Sequence, residues 1–254
     1  MKALLPAVFA VVSTLSAAVV EKPLEYKAGE VLCEGWLAYD DAVSGKRPGV
    51  LIIHQWTGVS DHEKEAARKL AGLGYNVLVA DIYGQGIRPQ PPAAGKEAGK
   101  YKADRALLRA RANAALDALA RDSRTDAAKL AATGYCFGGT AAIELARSGA
   151  KVLGVVSFHG GLDSPTPADG KHIKAKVLAL HGADDPFVPA KDVAAFEAEM
   201  KASGVDHKLV KYPGAVHSFT HKAAGNDNSK GAAYHADADR DSWYQMEQFL
   251  KQIF

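Results

Sequence analysis

Gly134-Tyr135-Cys136-Phe137-Gly138-Gly139 is the stretch from which this chain is best read. It follows a short apolar run, Leu130 to Ala132, and leads into a helical stretch, Thr140 to Arg147. Glycines two places before and two places after a reactive side chain mark a turn from strand to helix too tight for side chains on its flanks. Such a turn lifts its middle residue above the sheet, and here that residue is a cysteine. The helix starting behind it presents its positive end, which favours the thiolate. Read blandly, the same letters are a glycine-rich turn with a buried cysteine, and no partner residues are then required. Read as a nucleophile, Cys136 calls for an acid and then a histidine, in that order, on later loops.

Outward from this turn, unbroken apolar runs recur at Val50 to Ile53, Val77 to Ala80, Val152 to Ser157 and Val177 to Leu180. Runs without polar alternation suit parallel strands covered on both faces. Helical stretches separate them. One starts at Asp61 as N-cap, with Ala66, Ala67, Leu70 and Leu73 on one face; another runs from about Tyr101 to Ala120. A third enters through Pro189 with Val193, Phe196 and Met200, and a last carries Trp243, Met246, Leu250 and Ile253. Their stripes fall at helical spacing and predict faces turned to a core. The alternation predicts an α/β fold: a mostly parallel sheet with helices on both faces and working residues at the carboxyl ends of the strands. Val31 to Tyr39 predicts an antiparallel edge hairpin ahead of the first parallel strand.

Both partners that the nucleophile reading demands are present. After Val177 to Leu180 comes His181-Gly182-Ala183-Asp184-Asp185-Pro186-Phe187-Val188-Pro189. Asp184 and Asp185 compete for the acid role. Only Asp185 has the spacing G-x-x-D followed by x-x-V, whereas Asp184 suits a turn hydrogen bond. After a strand at Lys208 to Tyr212 comes Gly214-Ala215-Val216-His217-Ser218-Phe219, which puts His217 on a loop over the sheet edge. Cys136, Asp185 and His217 thus make a candidate triad.

With these residues in view, the chain resembles the dienelactone hydrolases, a family of the α/β-hydrolase fold, from about Glu34 to Phe254. The resemblance rests on His54-Gln55-Trp56-Thr57-Gly58, Asp81-Ile82-Tyr83-Gly84, the cysteine turn, the Gly182 to Pro189 loop and Val216-His217-Ser218-Phe219. It implies Cys136 as nucleophile, His217 as base and Asp185 as its partner. It also implies an oxyanion hole made by the backbone amides of Trp56 and Phe137, and substrate or thiol contacts at Gln55, Tyr83, Arg88 and His221. Two departures from the family pattern stand out. Gln55 occupies the place of a glutamate that helps govern the thiol's ionisation, and His221 that of an arginine that binds the substrate carboxylate. Arg88, Arg105 and Arg109 are the candidates for the family's second arginine. A weakened anion clamp shifts the expected substrate from a carboxylated dienelactone, the carboxymethylenebutenolidase reaction, to neutral activated esters or lactones. These would be cleaved through a thioester, and the same geometry admits a neutral phosphotriester.

Bulk properties narrow the alternatives. The chain has 254 residues, 48% hydrophobic, and a formal net charge of +2 with its Lys and Arg scattered. There is no basic face of the kind nucleic acid requires, so the expected partner is a small molecule, and nothing in the sequence sets the oligomeric state. Lys2, the apolar run Leu4 to Val12 and Ser16-Ala17-Ala18 read as a signal peptide cleaved after Ala18. That run is too short to span a bilayer, so a single domain over residues 19–254, secreted or periplasmic, is expected. An oxidising compartment would permit a Cys33–Cys136 disulfide; such a pair would leave a non-catalytic exported binding protein on the same scaffold. His54, His159, His181 and His217, with Asp81, raise the question of a metal hydrolase, but no H-x-H or H-E-x-x-H spacing occurs. Asn226-Asp227-Asn228 lacks the glycine and terminal glutamate of a calcium loop and reads as a turn. No metal or other cofactor is expected.

Overall fold

Residues 19–254 are described by the structure, a computed structural model. The signal-peptide expectation falls on residues 1–18 and lies outside them. Strands β1 (Val19–Ala28) and β2 (Val31–Asp40) form an antiparallel hairpin. The remaining six, β3 (Arg47–Ile53), β4 (Asn76–Ala80), β5 (Thr125–Tyr135), β6 (Gly154–Phe158), β7 (Lys176–Gly182) and β8 (His207–Tyr212), are mutually parallel. The sheet order is β1-β2-β4-β3-β5-β6-β7-β8, with β2 antiparallel to β4.

Unbroken apolar strands make sense because both faces are covered. Along β3, Leu51 and Ile53 enter one core and Val50 and Ile52 the other, and all four are fully buried. Burying one such side chain contributes about 1.5–3 kcal/mol. The first core is closed by α2 (Ala93–Ala103), α3 (Arg105–Arg121), α4 (Phe137–Arg147) and α5 (Ala190–Ala202). The second is closed by α1 (Asp61–Gly72) and α6 (Ala236–Ile253). Because the strands after the hairpin run parallel, the segments following β3, β5, β6, β7 and β8 emerge on one rim.

Three local expectations are corrected. The helical stretch from Tyr101 to Ala120 is two helices, since the Asp104 side chain accepts the Leu107 amide at 2.9 Å and caps a new start. Its apolar period runs through the break, which is why periodicity alone joined them. Helix α1 is capped by Ser60 rather than Asp61. The Ser60 amide donates to Glu63 Oε2 at 3.0 Å while the Ser60 side chain accepts the Glu63 amide, a reciprocal capping box, and Ser60 Oγ also donates to Glu63 Oε2 at 2.6 Å. The hairpin needs a first arm, β1, ahead of Val31. That edge strand carries Glu21, Lys22, Pro23, Glu25 and Lys27, which hide an apolar signal while discouraging edge-to-edge pairing.

Candidate active site

Cys136 sits between β5 and α4 with φ 55° and ψ −116°, in a region few side-chain-bearing residues adopt. The flanking glycines follow from contact distances. A Cβ on Gly134 would lie 2.1 Å from the Gly138 carbonyl oxygen, and one on Gly138 would lie 2.0 Å from that of Ile53. Any side chain at either place would force the turn open. The turn places the half-buried Cys136 at the rim, at the amino end of α4.

The loops after β7 and β8 bring the other two residues to it. His217 Nε2 lies 3.0 Å from Cys136 Sγ, and His217 Nδ1 lies 2.8 Å from Asp185 Oδ2. The Phe187 amide donates to the second Asp185 oxygen at 2.8 Å, fixing the carboxylate. Asp184 faces away from this chain: its Oδ2 accepts the Gly214 amide at 2.9 Å and ties the two loops together. Electrostatics favour charge separation between thiol and imidazole. Burial alone would raise the Cys136 thiol, but the His217 imidazolium and the Phe137 amide outweigh it and hold the thiol below its ordinary value. Burial alone would lower His217, but the Cys136 thiolate and the Asp185 carboxylate raise it to about 10. Both shifts favour a thiolate beside an imidazolium that donates to both neighbours.

Facing the thiol across the rim is the loop after β3. Three buried groups hold it. The Gln55 amide donates to Glu63 Oε1 at 3.1 Å, Tyr83 donates its hydroxyl to the Trp56 carbonyl at 2.9 Å, and His54 bonds the Gln55 carbonyl through Nδ1 at 2.6 Å. His54 Nε2 accepts the Ile82 amide, so the ring is neutral; burial takes its pKa down to about 4. Among the described residues, the Trp56 amide donates to no backbone or side-chain oxygen and the Phe137 amide only to the Cys136 sulfur, which leaves both able to face an oxyanion there.

Residues 33–254 match the sequence model of the dienelactone hydrolase family. The chain belongs to that family. Two solved structures are similar over nearly all of it. A dienelactone hydrolase-like promiscuous phosphotriesterase from metagenomic libraries is 38% identical, with a TM-score of 0.89 over 94% of this chain and 100% of that one. A protein designated m3DLH is 39% identical, with a TM-score of 0.90 over 93% and 99%. A Yersinia pestis protein named "Putative carboxymethylenebutenolidase" is 26% identical across 85% of this chain and 82% of its own. The chain is thus a hydrolase of the dienelactone hydrolase family on a mostly parallel α/β-hydrolase sheet.

Within that family the substrate contacts depart from expectation. Arg88 is fully engaged, donating to Asp81 Oδ1 at 3.3 Å and to the carbonyls of Gly84, Ile87 and Glu34. Arg105 pairs with Asp163 at 2.5 Å, and Arg109 with Glu144 and Asp169, each at 2.7 Å. All three candidate arginines are therefore paired with carboxylates. Tyr83 is 2% exposed and supports the Trp56 loop from behind rather than opening onto a substrate. Gln55 is buried. His221 packs edge-on against His62, ring centres 4.9 Å apart, in a cavity of about 240 Å³ shared with Tyr135 and Trp243; burial lowers its pKa. It lacks the permanent charge of the family's arginine.

Both cysteines are free, Cys33 being buried in β2 beside Arg111, so no disulfide joins it to Cys136. Among the described residues, no three His, Cys, Asp or Glu side chains converge as metal ligands. Two participants escaped the sequence reading, and a third, His159, entered it only as a strand-end histidine. Glu63, wholly buried with its carboxyl pushed up by burial, was legible in the spacing Ser60-x-x-Glu63. His159 and Thr220, hydrogen-bonded at 2.9 Å behind the thiol, left only the weaker sign of a histidine at a strand end.

Proposed function

We propose that this hydrolase cleaves neutral, activated esters and lactones through a thioester on Cys136, with His217 as acid and base and Asp185 as its orienting partner. The observation that carries the proposal is the continuous line from Asp185 Oδ2 to His217 Nδ1, 2.8 Å, and from His217 Nε2 to Cys136 Sγ, 3.0 Å. The Cys136 thiolate attacks the carbonyl carbon and forms the C–S bond while the carbonyl electron pair moves to oxygen. The Trp56 and Phe137 amides donate to that oxyanion, a contribution of about 3–4 kcal/mol for each donor. Collapse breaks the bond to the leaving oxygen, which takes the proton from His217 Nε2. A water molecule then gives a proton to the neutral His217 and attacks the thioester, releasing the acid and restoring the thiolate.

Neutral substrates fit the surroundings. The arginines that would clamp a carboxylate are paired elsewhere, and Phe187, 61% exposed, stands edge-on to the His217 ring at 5.5 Å between centres. An apolar acyl or aryl group meets this ring without needing a counter-ion. Hydrolysis of neutral phosphotriesters is a second reading, favoured by the 38%-identical promiscuous phosphotriesterase. A non-catalytic binding protein is disfavoured by a thiol that is free and paired with an imidazole.

Acid-quenching the protein during turnover of a p-nitrophenyl ester and weighing it intact tests the chemistry. An acyl adduct on wild type that is absent from Cys136→Ala is expected. Steady turnover with no adduct, together with full activity in Cys136→Ala, would refute the proposal.

A further inference from the structure

His159 follows β6 with φ 39°, left-handed backbone in a residue with a large side chain. Backbone of this kind costs about 1–2 kcal/mol and persists where surrounding contacts over-determine it. Those contacts are specific. The ring is 1% exposed. Its Nδ1 shares the Cys136 amide with the Phe158 carbonyl, accepting at 3.1 Å beside the carbonyl's 3.0 Å, and its Nε2 lies 2.9 Å from Thr220 Oγ1. Because Nδ1 must be an acceptor, the proton resides on Nε2, which therefore donates to Thr220. Thr220 is itself buried, three residues beyond His217 on the same loop. The backbone amide of His159 donates to the Leu180 carbonyl at 2.8 Å, tying it to β7 as well.

One side chain thus connects the strained peptide of the nucleophile to the loop of the base, packing edge-on against the His217 ring but hydrogen-bonded to neither Sγ nor the His217 nitrogens. Its ring centre is 5.4 Å from that of His217. Burial and the His217 cation keep it neutral, the only state in which it can accept from the Cys136 amide.

We propose that His159 and Thr220 form a positioning bridge that sets the distance between Cys136 Sγ and His217 Nε2. The proposal rests on the reading of Cys136 and His217 given above. A ring that merely filled space, as its packing against Phe219 at 5.0 Å would allow, would not depend on the Thr220 hydroxyl. The bridge does.

The test measures kcat, KM and the rate of Cys136 alkylation at fixed pH in four variants. Thr220→Val keeps the shape and removes the acceptor; it should lower kcat and alkylation by about tenfold, the share of the barrier one hydrogen bond can carry, and leave KM unchanged. Thr220→Ser should restore both. His159→Asn, which tolerates left-handed backbone and can keep an acceptor for the Cys136 amide but cannot reach Thr220, should resemble Thr220→Val. The double variant should lose no more than either single one, because the two act through one contact. Wild-type kcat and alkylation in Thr220→Val, or losses that multiply in the double variant, would overturn the bridge. If His159→Asn fails to fold, the Thr220→Val and Thr220→Ser pair decides. Cys136→Ala separates the two claims. Turnover surviving in it would sink the underlying reading, whereas its loss beside a fully active Thr220→Val would sink only the bridge.

Discussion

Two regions of this protein bury charge, and they do it differently. Under α4, the wholly buried Arg147 lies between Glu144 at 2.8 Å and Glu199 at 2.6 Å, with Arg109 adding a contact to Glu144. At the rim, Cys136, His217 and Asp185 form a line with one partner per contact. Arginine keeps its proton at any accessible pH, so the cations under α4 are permanent and their partners fixed. At the rim a cation on His217 forms when a proton leaves Cys136, and the proton can return. The first arrangement holds helices together; the second holds a proton between two atoms that both need it in turn. Complete burial around a permanent cation gives rigidity under α4, whereas partial burial around a movable proton leaves the rim able to change its charge.

Removing a member at the rim should cost activity, and removing one under α4 should cost stability. The largest effect is expected for Cys136→Ala and His217→Ala, with turnover of an activated ester falling by roughly 10⁴–10⁶ while the thermal midpoint stays near wild type. Asp185→Asn should follow, at up to about 10⁴, and Asp184→Asn should lose far less. Kinetics that reverse those two aspartates would reassign the acid.

Arg147→Met reverses the pattern. It strands Glu144 and Glu199 without their shared cation and should destabilise by about 3–5 kcal/mol, read from denaturant midpoints, with kcat per folded molecule unchanged. A loss of kcat comparable to that of Asp185→Asn would erase the distinction between the regions.

The pH dependence sharpens it. Because the Cys136 thiol is held below its ordinary value and His217 is raised to about 10, the window for an ion pair opens below the ordinary thiol midpoint and closes towards about 10. Lowering the pH returns a proton to the thiolate. Raising it towards about 10 takes from His217 the proton that the leaving group needs. Alkylation of Cys136 should thus stay fast below pH 8.5, the ordinary thiol midpoint, whereas Cys33, raised by burial, should stay inert. Equal alkylation of both thiols would count against the ion pair.

The smallest effect concerns substrate choice. Neutral aryl esters should be preferred to a carboxylated dienelactone by about tenfold in kcat/KM, equivalent to about 1.4 kcal/mol. His221→Arg should narrow the ratio. A wild-type preference for the anionic lactone would show that a cation already serves the substrate.

How much of this was legible depended on whether a feature lives in local sequence. The glycines around Cys136 are forced by contacts within a few residues and with the neighbouring strand, and the strands by burial on both faces, so both could be read. Asp185 was separated from Asp184 by spacing alone, although what distinguishes them in space is a histidine on another loop. The arginines could not be settled from sequence. Arg88 is taken up by Asp81 and by carbonyls as remote as Glu34, and such partners have no signature along the chain. His159 shows the same limit, since its two contacts reach 23 and 61 residues away.

The dihedral angles at Cys136 bear on which nucleophile the turn can carry. Strain there belongs to the main chain, and the crowding that excludes other residues falls on Gly134 and Gly138, not on the nucleophile. The turn itself therefore fits sulfur or oxygen alike, and whatever thermal midpoint Cys136→Ser gives up should come from the lost pairing with His217 and not from the backbone. A scaffold of this kind leaves the choice between the two nucleophiles to the imidazole beside the turn rather than to the glycines that build it.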